Sequence, residues 1–105
     1  MGRFALAPAA KDDLAEIAKY VQEQGSEDAA RRVVLEMLRS MQALADMPGM
    51  GHLRHDLADE SLRFWSVYSY LIIYRAETRP LQIIRVLHGA RDVAAILKSQ
   101  PNRHN

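Results

Sequence analysis

The side chains best suited to chemistry gather in the last part of the chain. His88 stands between Leu87 and Gly89, with Arg85 three residues before it and Arg91 three residues after. Arg63 and Arg75 lie upstream and Lys98 downstream. Guanidinium groups clamp phosphate or carboxylate through a planar fork of N–H donors. A histidine titrates close to neutrality, so His88 can serve as a proton donor or acceptor. Each of these residues also has a structural reading. A histidine at a strand end before glycine is held in many folds by a bond from its ring to a nearby carbonyl. Arg85 falls inside an apolar run, where a buried cation needs a carboxylate, from Asp92 or another acid; otherwise it contacts a partner. Asp92 is placed to cap a helix, which leaves Arg91 to reach outward.

Other candidate sites are weaker. Trp65, Tyr70 and Tyr74 could stack on nucleic-acid bases, but aromatics at alternating strand positions are expected in a core. His52, His55 and Asp56 share a short polar stretch that allows a metal site on paper. No helix or second ligand pair supports it, and no metal or other cofactor is expected. Pro48-Gly49-Met50-Gly51 follows a helical stretch and lacks the lysine of a phosphate-binding loop. The chain has no cysteine, which removes disulfides, thiolate metal sites and a cysteine nucleophile.

These residues are positioned by two kinds of element. Pro8 suits the first turn of a helix, and Asp12 and Asp13 suit its positive N-terminal end. Leu14, Ile17, Ala18 and Val21 then recur at helical spacing, predicting a helix near 8–24. Gly25 is expected to end it with a positive φ, and Ser26 to cap a second helix near 26–46 carrying Ala30, Val33, Met37, Met41 and Leu44. So short a link implies an antiparallel helical hairpin. Residues 52–61 read as a polar loop. After Leu62 the period changes to two, predicting strands near 63–67, 70–76 and 81–88, joined by short polar turns. A short strand near 3–7 precedes the helices, and a short helix, 93–98, ends the domain. Residues 99–105 read as a flexible tail.

The expected fold is therefore α+β: an N-terminal strand, then an antiparallel helical hairpin packed on a mostly antiparallel sheet, then a short C-terminal helix. It forms one domain over residues 1–98 of the 105. In strand 81–88, alternation puts Gln82, Ile84, Val86 and His88 on one face and Leu81, Ile83, Arg85 and Leu87 on the other. Both faces are substantially apolar, so a second covering layer is expected, from the C-terminal segment or from a partner.

Hydrophobic residues at 49% and charged residues at 26% exclude a disordered chain. The start of the chain has no signal-peptide pattern, no run is long enough to span a bilayer, and a cytoplasmic protein without membrane contact is expected. The net charge of +1 conceals a segregation. Residues 1–62 hold 7 basic and 11 acidic side chains, and residues 63–105 hold 7 basic and 2 acidic. Of the 14 basic residues 11 are arginine, which suits an anionic partner.

The run Tyr70-Leu71-Ile72-Ile73-Tyr74-Arg75, followed by Leu81 to Leu87 and then His88-Gly89-Ala90-Arg91-Asp92, resembles the C-terminal signature of the RelE/ParE toxin superfamily. The His-Gly-x-Arg-Asp ending resembles the ParE branch in particular, and the likeness extends over residues 3–98. The resemblance implies the toxin of a bacterial type II toxin–antitoxin pair, in a hetero-oligomer with its cognate antitoxin and touching operator DNA only through that complex. ParE-like members poison DNA gyrase; RelE-like members cleave mRNA on the ribosome.

The residues help to choose between these. RNA cleavage needs a base, an acid and cations at the phosphate. His88, Arg75 and Arg85 are the candidates for that role. The nucleases of the superfamily also carry extra lysines and commonly a C-terminal tyrosine. Here no lysine falls between Lys19 and Lys98, and no tyrosine follows Tyr74. The expectation is thus a gyrase-binding toxin without a catalytic centre, contacting its target through Arg91, Arg63 and Lys98. The alternatives are the mRNA endonuclease and a non-toxic, antitoxin-bound co-repressor.

Overall fold

The computed structural model describes residues 2–58 and 61–99. The chain opens with β1 (Phe4–Leu6) and enters α1 (Pro8–Gln24) and α2 (Glu27–Asp46). Pro8 stands in the first turn of α1, as its missing N–H allows. Ser26 caps α2 by accepting the Ala29 N–H at 3.0 Å. Gly25 departs from expectation, with φ at −133°. Of the two link residues Ser26 is extended, at φ −154°, and the chain reverses without a left-handed residue. A single 3-10 turn, Pro48–Met50, leads to β2 (His52–Leu53), β3 (Leu62–Val67), β4 (Tyr70–Arg75), β5 (Leu81–His88) and α3 (Val93–Lys98).

The five strands form one sheet in the order β1-β5-β4-β3-β2. Only the β1–β5 pair is parallel. The α+β architecture expected from the sequence is thus present. β2 is an addition, because His52 and Leu53, read as loop, pair with Phe64 and Arg63. A two-residue strand is too short to show a period, and the stacking of the His52 ring on Trp65, centroids 6.2 Å apart, accompanies it. The expected tail lies outside the described residues beyond Ser99.

The faces of β5 also differ from simple alternation. Tyr74 pairs with Ile83 and Ile73 with Arg85, so Ile84 is an extra residue, a bulge. The bulge shifts the phase of everything after it. Val86 joins Leu81 and Ile83 on the helical-hairpin side, and Leu87 joins Ile84 on the opposite side. The hairpin side holds the larger core, centred on Met37, Met41, Leu44, Ile72 and Tyr74, all fully buried. The opposite side is closed by α3, whose Val93 and Leu97 pack with Leu62, Phe64, Ile73, Ile84 and Leu87. The second covering layer is therefore the C-terminal segment.

Asp13 has a different role from the one its position in α1 predicts. It is buried, at 6% exposure, rather than a solvated charge at the helix start. Its carboxylate accepts Arg85 Nε at 2.7 Å and Nη2 at 2.8 Å, and the Val86 N–H at 2.9 Å. One side chain thus fixes α1 to β5 and fills the edge of that strand beyond the reach of β1, where the Val86 N–H would otherwise be unpaired.

Candidate functional site

The six charged residues singled out from the sequence do not meet at one place. His88 lies opposite Tyr70, and Arg75 lies near the other end of the same strand pair, opposite Gln82. The five residue steps from Tyr70 to Arg75 separate these positions by roughly 17 Å. Arg85 lies between them and is engaged by Asp13, the acid its burial demands; this raises its pKa, chiefly through the side-chain hydrogen bond. Asp92, the other candidate partner, caps α3 by accepting the Ala95 N–H at 3.2 Å. Lys98 is exposed in the last turn of α3.

At the His88 end, the imidazole Nδ1 accepts the Ala90 N–H at 3.0 Å. The expected bond to a carbonyl is replaced by this backbone donor, because the turn after Gly89 folds back over the ring. With Nδ1 as acceptor, the neutral ring carries its proton on Nε2. The ring also meets the edge of Tyr70, centroids 5.3 Å apart. Arg91 is exposed in this turn, its N–H bonded to the His88 carbonyl at 3.0 Å. His88 and Arg91 line a small cleft of about 140 Å³ with Glu16, Tyr20 and Tyr70. Burial pushes the Tyr70 hydroxyl above its ordinary pKa. On its other side Arg91 borders a polar cleft of about 230 Å³ lined by Arg54, Ser66, Tyr68 and Ser69. Tyr68 forms the tip of the β3–β4 turn at φ 55° and is 64% exposed.

The opposite end of the sheet is organised around Tyr74. Its hydroxyl donates to the Pro48 carbonyl at 2.6 Å and accepts the Gly51 N–H at 2.8 Å. Burial raises its pKa, partly offset by the bond from Gly51. Only glycine fits at 51, since a Cβ there would collide with the Tyr74 hydroxyl. The Gly51 carbonyl in turn accepts Arg63 Nη1 at 2.8 Å. The sequence shows Pro48 to Gly51 only as a Pro- and Gly-rich stretch after a helix, without the lysine of a phosphate-binding loop. The pairing with a tyrosine twenty-odd positions away has no local signal.

The remaining candidates are structural. Trp65 and Tyr70 are partly buried against the core, as their alternation predicts. Asp56 accepts Arg54 Nε and Nη2, and this side-chain bond holds its carboxyl below the usual range. Its stretch thus makes an exposed ion pair, while His52 stacks on Trp65.

Fold and site together define a small α+β domain with charged clefts at the two ends of its sheet. The family described as "ParE toxin of type II toxin-antitoxin system, parDE" matches residues 4–93, and the chain belongs to that family. In structure the chain is similar to a protein from P. aeruginosa, solved as "Chromosomal ParDE TA system from P. aeruginosa", at a TM-score of 0.71 and 17% identity. That likeness covers 84% of this chain and 96% of the other, and it shows the shared fold. No curated protein matches the chain in sequence. Among the described residues, no helix is long and apolar enough to cross a membrane.

Proposed function

We propose that this ParE-type toxin acts by binding DNA gyrase and is neutralised by a cognate antitoxin, reaching operator DNA only within that complex. The observation that carries the binding mode is the dispersal of the candidate catalytic set. His88 and Arg75 occupy opposite ends of the β4–β5 pair, and Arg85 is held by Asp13. Phosphoryl-transfer chemistry needs its acid, base and cation within hydrogen-bond reach of one phosphate. Arg91 is the target-facing residue of this reading, because it is exposed in the β5–α3 turn with no carboxylate in ion-pair contact among the described residues. Lys98 and Arg63 are the further target contacts.

The endonuclease reading has one observation in its favour: His88 and Arg91 share a cleft with Tyr70. Glu16 lines that cleft as well, and its charge opposes a phosphate there. Two assays separate the readings, gyrase supercoiling and cleavage of ribosome-bound mRNA. Arg91→Glu is expected to weaken gyrase inhibition about tenfold or more with little change in melting temperature. His88→Ala is expected to leave inhibition intact. Cleavage of ribosome-bound mRNA by the wild type, reduced about 100-fold by His88→Ala, would establish the nuclease instead. Inactivity in both assays would point to the non-toxic co-repressor.

A further inference from the structure

The largest of the clefts described here lies at the Tyr74 end, remote from His88 and Arg91. Its volume is about 700 Å³. Arg63 and Arg79 line it, together with Pro48, Leu53, Ala76 and Glu77. Among the described residues both guanidinium groups are held in place by main-chain carbonyls. Arg63 Nη1 donates to the Gly51 carbonyl at 2.8 Å, and Arg79 Nη1 donates to the carbonyls of Ala76 at 2.8 Å and Thr78 at 2.6 Å. Neither has a carboxylate within ion-pair distance among the described residues, whereas Arg31, Arg39, Arg54 and Arg85 each do. Glu77 shares the cleft without pairing with either arginine. Two oriented cations with unused N–H donors and no ion-pair partner among the described residues form a receptor for an anion, with Glu77 the one acid among the lining residues described.

The surroundings specify what carries the anion. Pro48, Leu53 and Ala76 give the cleft an apolar wall, and Leu53 is 44% exposed. Among the described residues no tyrosine, tryptophan or phenylalanine lines it, and His55 is the one aromatic ring at its wall, a smaller stacking surface than a run of large aromatics offers. β2, which supplies Leu53, is the outermost strand of the sheet, and among the described residues no strand pairs with its outer edge. Such an edge offers main-chain donors and acceptors to an extended peptide. We propose that this cleft binds an extended peptide segment carrying a carboxylate side chain beside an apolar one. The carboxylate bridges Arg63 and Arg79, the apolar side chain covers Leu53 and Pro48, and the peptide backbone lies along β2. The antitoxin reading enters only in naming the chain that would carry this segment; the ligand chemistry follows from the cleft itself.

The test uses the full chain and a defined probe, a blocked hexapeptide alternating glutamate with leucine and valine, followed by amide NMR titration. Saturable shifts at Leu53, Arg63 and Arg79 are expected. Replacing every glutamate of the probe by glutamine should weaken binding about tenfold or more. Arg79→Gln should do the same at unchanged melting temperature, since its side chain is exposed. Arg63→Gln should weaken binding further, and Arg31→Gln, on the outer face of α2, should leave it unchanged. The proposal is overturned if the acidic probe gives no shifts at millimolar concentration. It is also overturned if the glutamine probe binds equally well, if both cleft variants bind like wild type, or if a single-stranded RNA hexamer binds the cleft more tightly than the acidic peptide. These outcomes do not depend on gyrase inhibition or growth arrest, so failure here is distinct from failure of the toxin reading.

Discussion

The two faces of the sheet are covered by very different lengths of chain. On one side α1 and α2, with 17 and 20 residues, bury a continuous core in which Met37, Met41, Leu44, Ile72 and Tyr74 are inaccessible. On the other, the 6 residues of α3 place Val93, Leu97 and the partly buried Ile96 over Leu62, Phe64, Ile73, Ile84 and Leu87, with Leu57 and Ala58 beside them. An isolated helix of that length is unstable in water, so α3 exists because it packs. The hairpin face also contains polar anchors, Asp13 with Arg85 and Tyr74 with the Pro48–Gly51 turn, whereas the contacts of α3 with the sheet are apolar. The difference teaches where the fold is anchored and where it can open. The hairpin face should unfold only with the whole domain, and α3 should detach at lower free energy.

The largest effect is expected at the anchor. Asp13→Ala leaves the Arg85 charge and the Val86 N–H without their carboxylate, and should destabilise the domain by about 3–5 kcal/mol. Chemical denaturation measures it. A loss within ~1 kcal/mol of zero would mean that α1 is held to β5 by apolar contact alone.

A matched pair of truncations tests the comparison directly. Leu44→Ala on the hairpin face should fall in the upper part of the ~2–5 kcal/mol range for buried leucine. Leu97→Ala should fall in the lower part, because a cavity beside a short terminal helix can close by a small movement. Hydrogen exchange of the α3 amides should quicken in the second variant while the α2 amides stay protected. Equal losses from the two variants would break the comparison.

The smallest expected effect sharpens the picture of the hairpin face. Tyr74→Phe keeps the ring but leaves the buried Gly51 N–H unpartnered, which should cost about 1–3 kcal/mol. The Tyr74 pKa is raised in the fold above its value in the unfolded chain. Its contribution is therefore fully present below the ordinary tyrosine pKa of about 10, and is lost as the pH rises through the higher folded value. Wild type should lose stability more steeply than Tyr74→Phe across that alkaline window. Parallel pH profiles would show that the hydroxyl is not held in its neutral form.

The legible part of this fold was the part written in periods. The stripe from Leu14 to Val21, the Ser26 cap, the change of period after Leu62 and the apolar character of both sides of 81–87 placed the helices and long strands within a residue or so. The same reading placed His88 at the end of a strand, Arg91 in the turn after it and the aromatics at alternating strand positions, because local spacing is enough to place a residue on an element. It misplaced Val86 and Leu87, since a bulge at Ile84 leaves no mark in composition yet inverts the alternation after it. It assigned Asp13 to the helix dipole, since the position of an acid in a first turn says nothing about burial.

By itself the sequence determined the order and kind of the elements, the segregation of charge between the two parts of the chain, and the toxin-family signature around His88. Tertiary structure alone decided which side chains work together. Asp13 and Arg85 are 72 positions apart, Gly51 and Tyr74 are 23 apart, and Arg63 and Arg79 reach one cleft from different elements. Periodicity is a local property, fixed by the geometry of one helix or strand. The pairing of distant groups depends on register and on the packing of one element against another, and both are set only when the whole core closes.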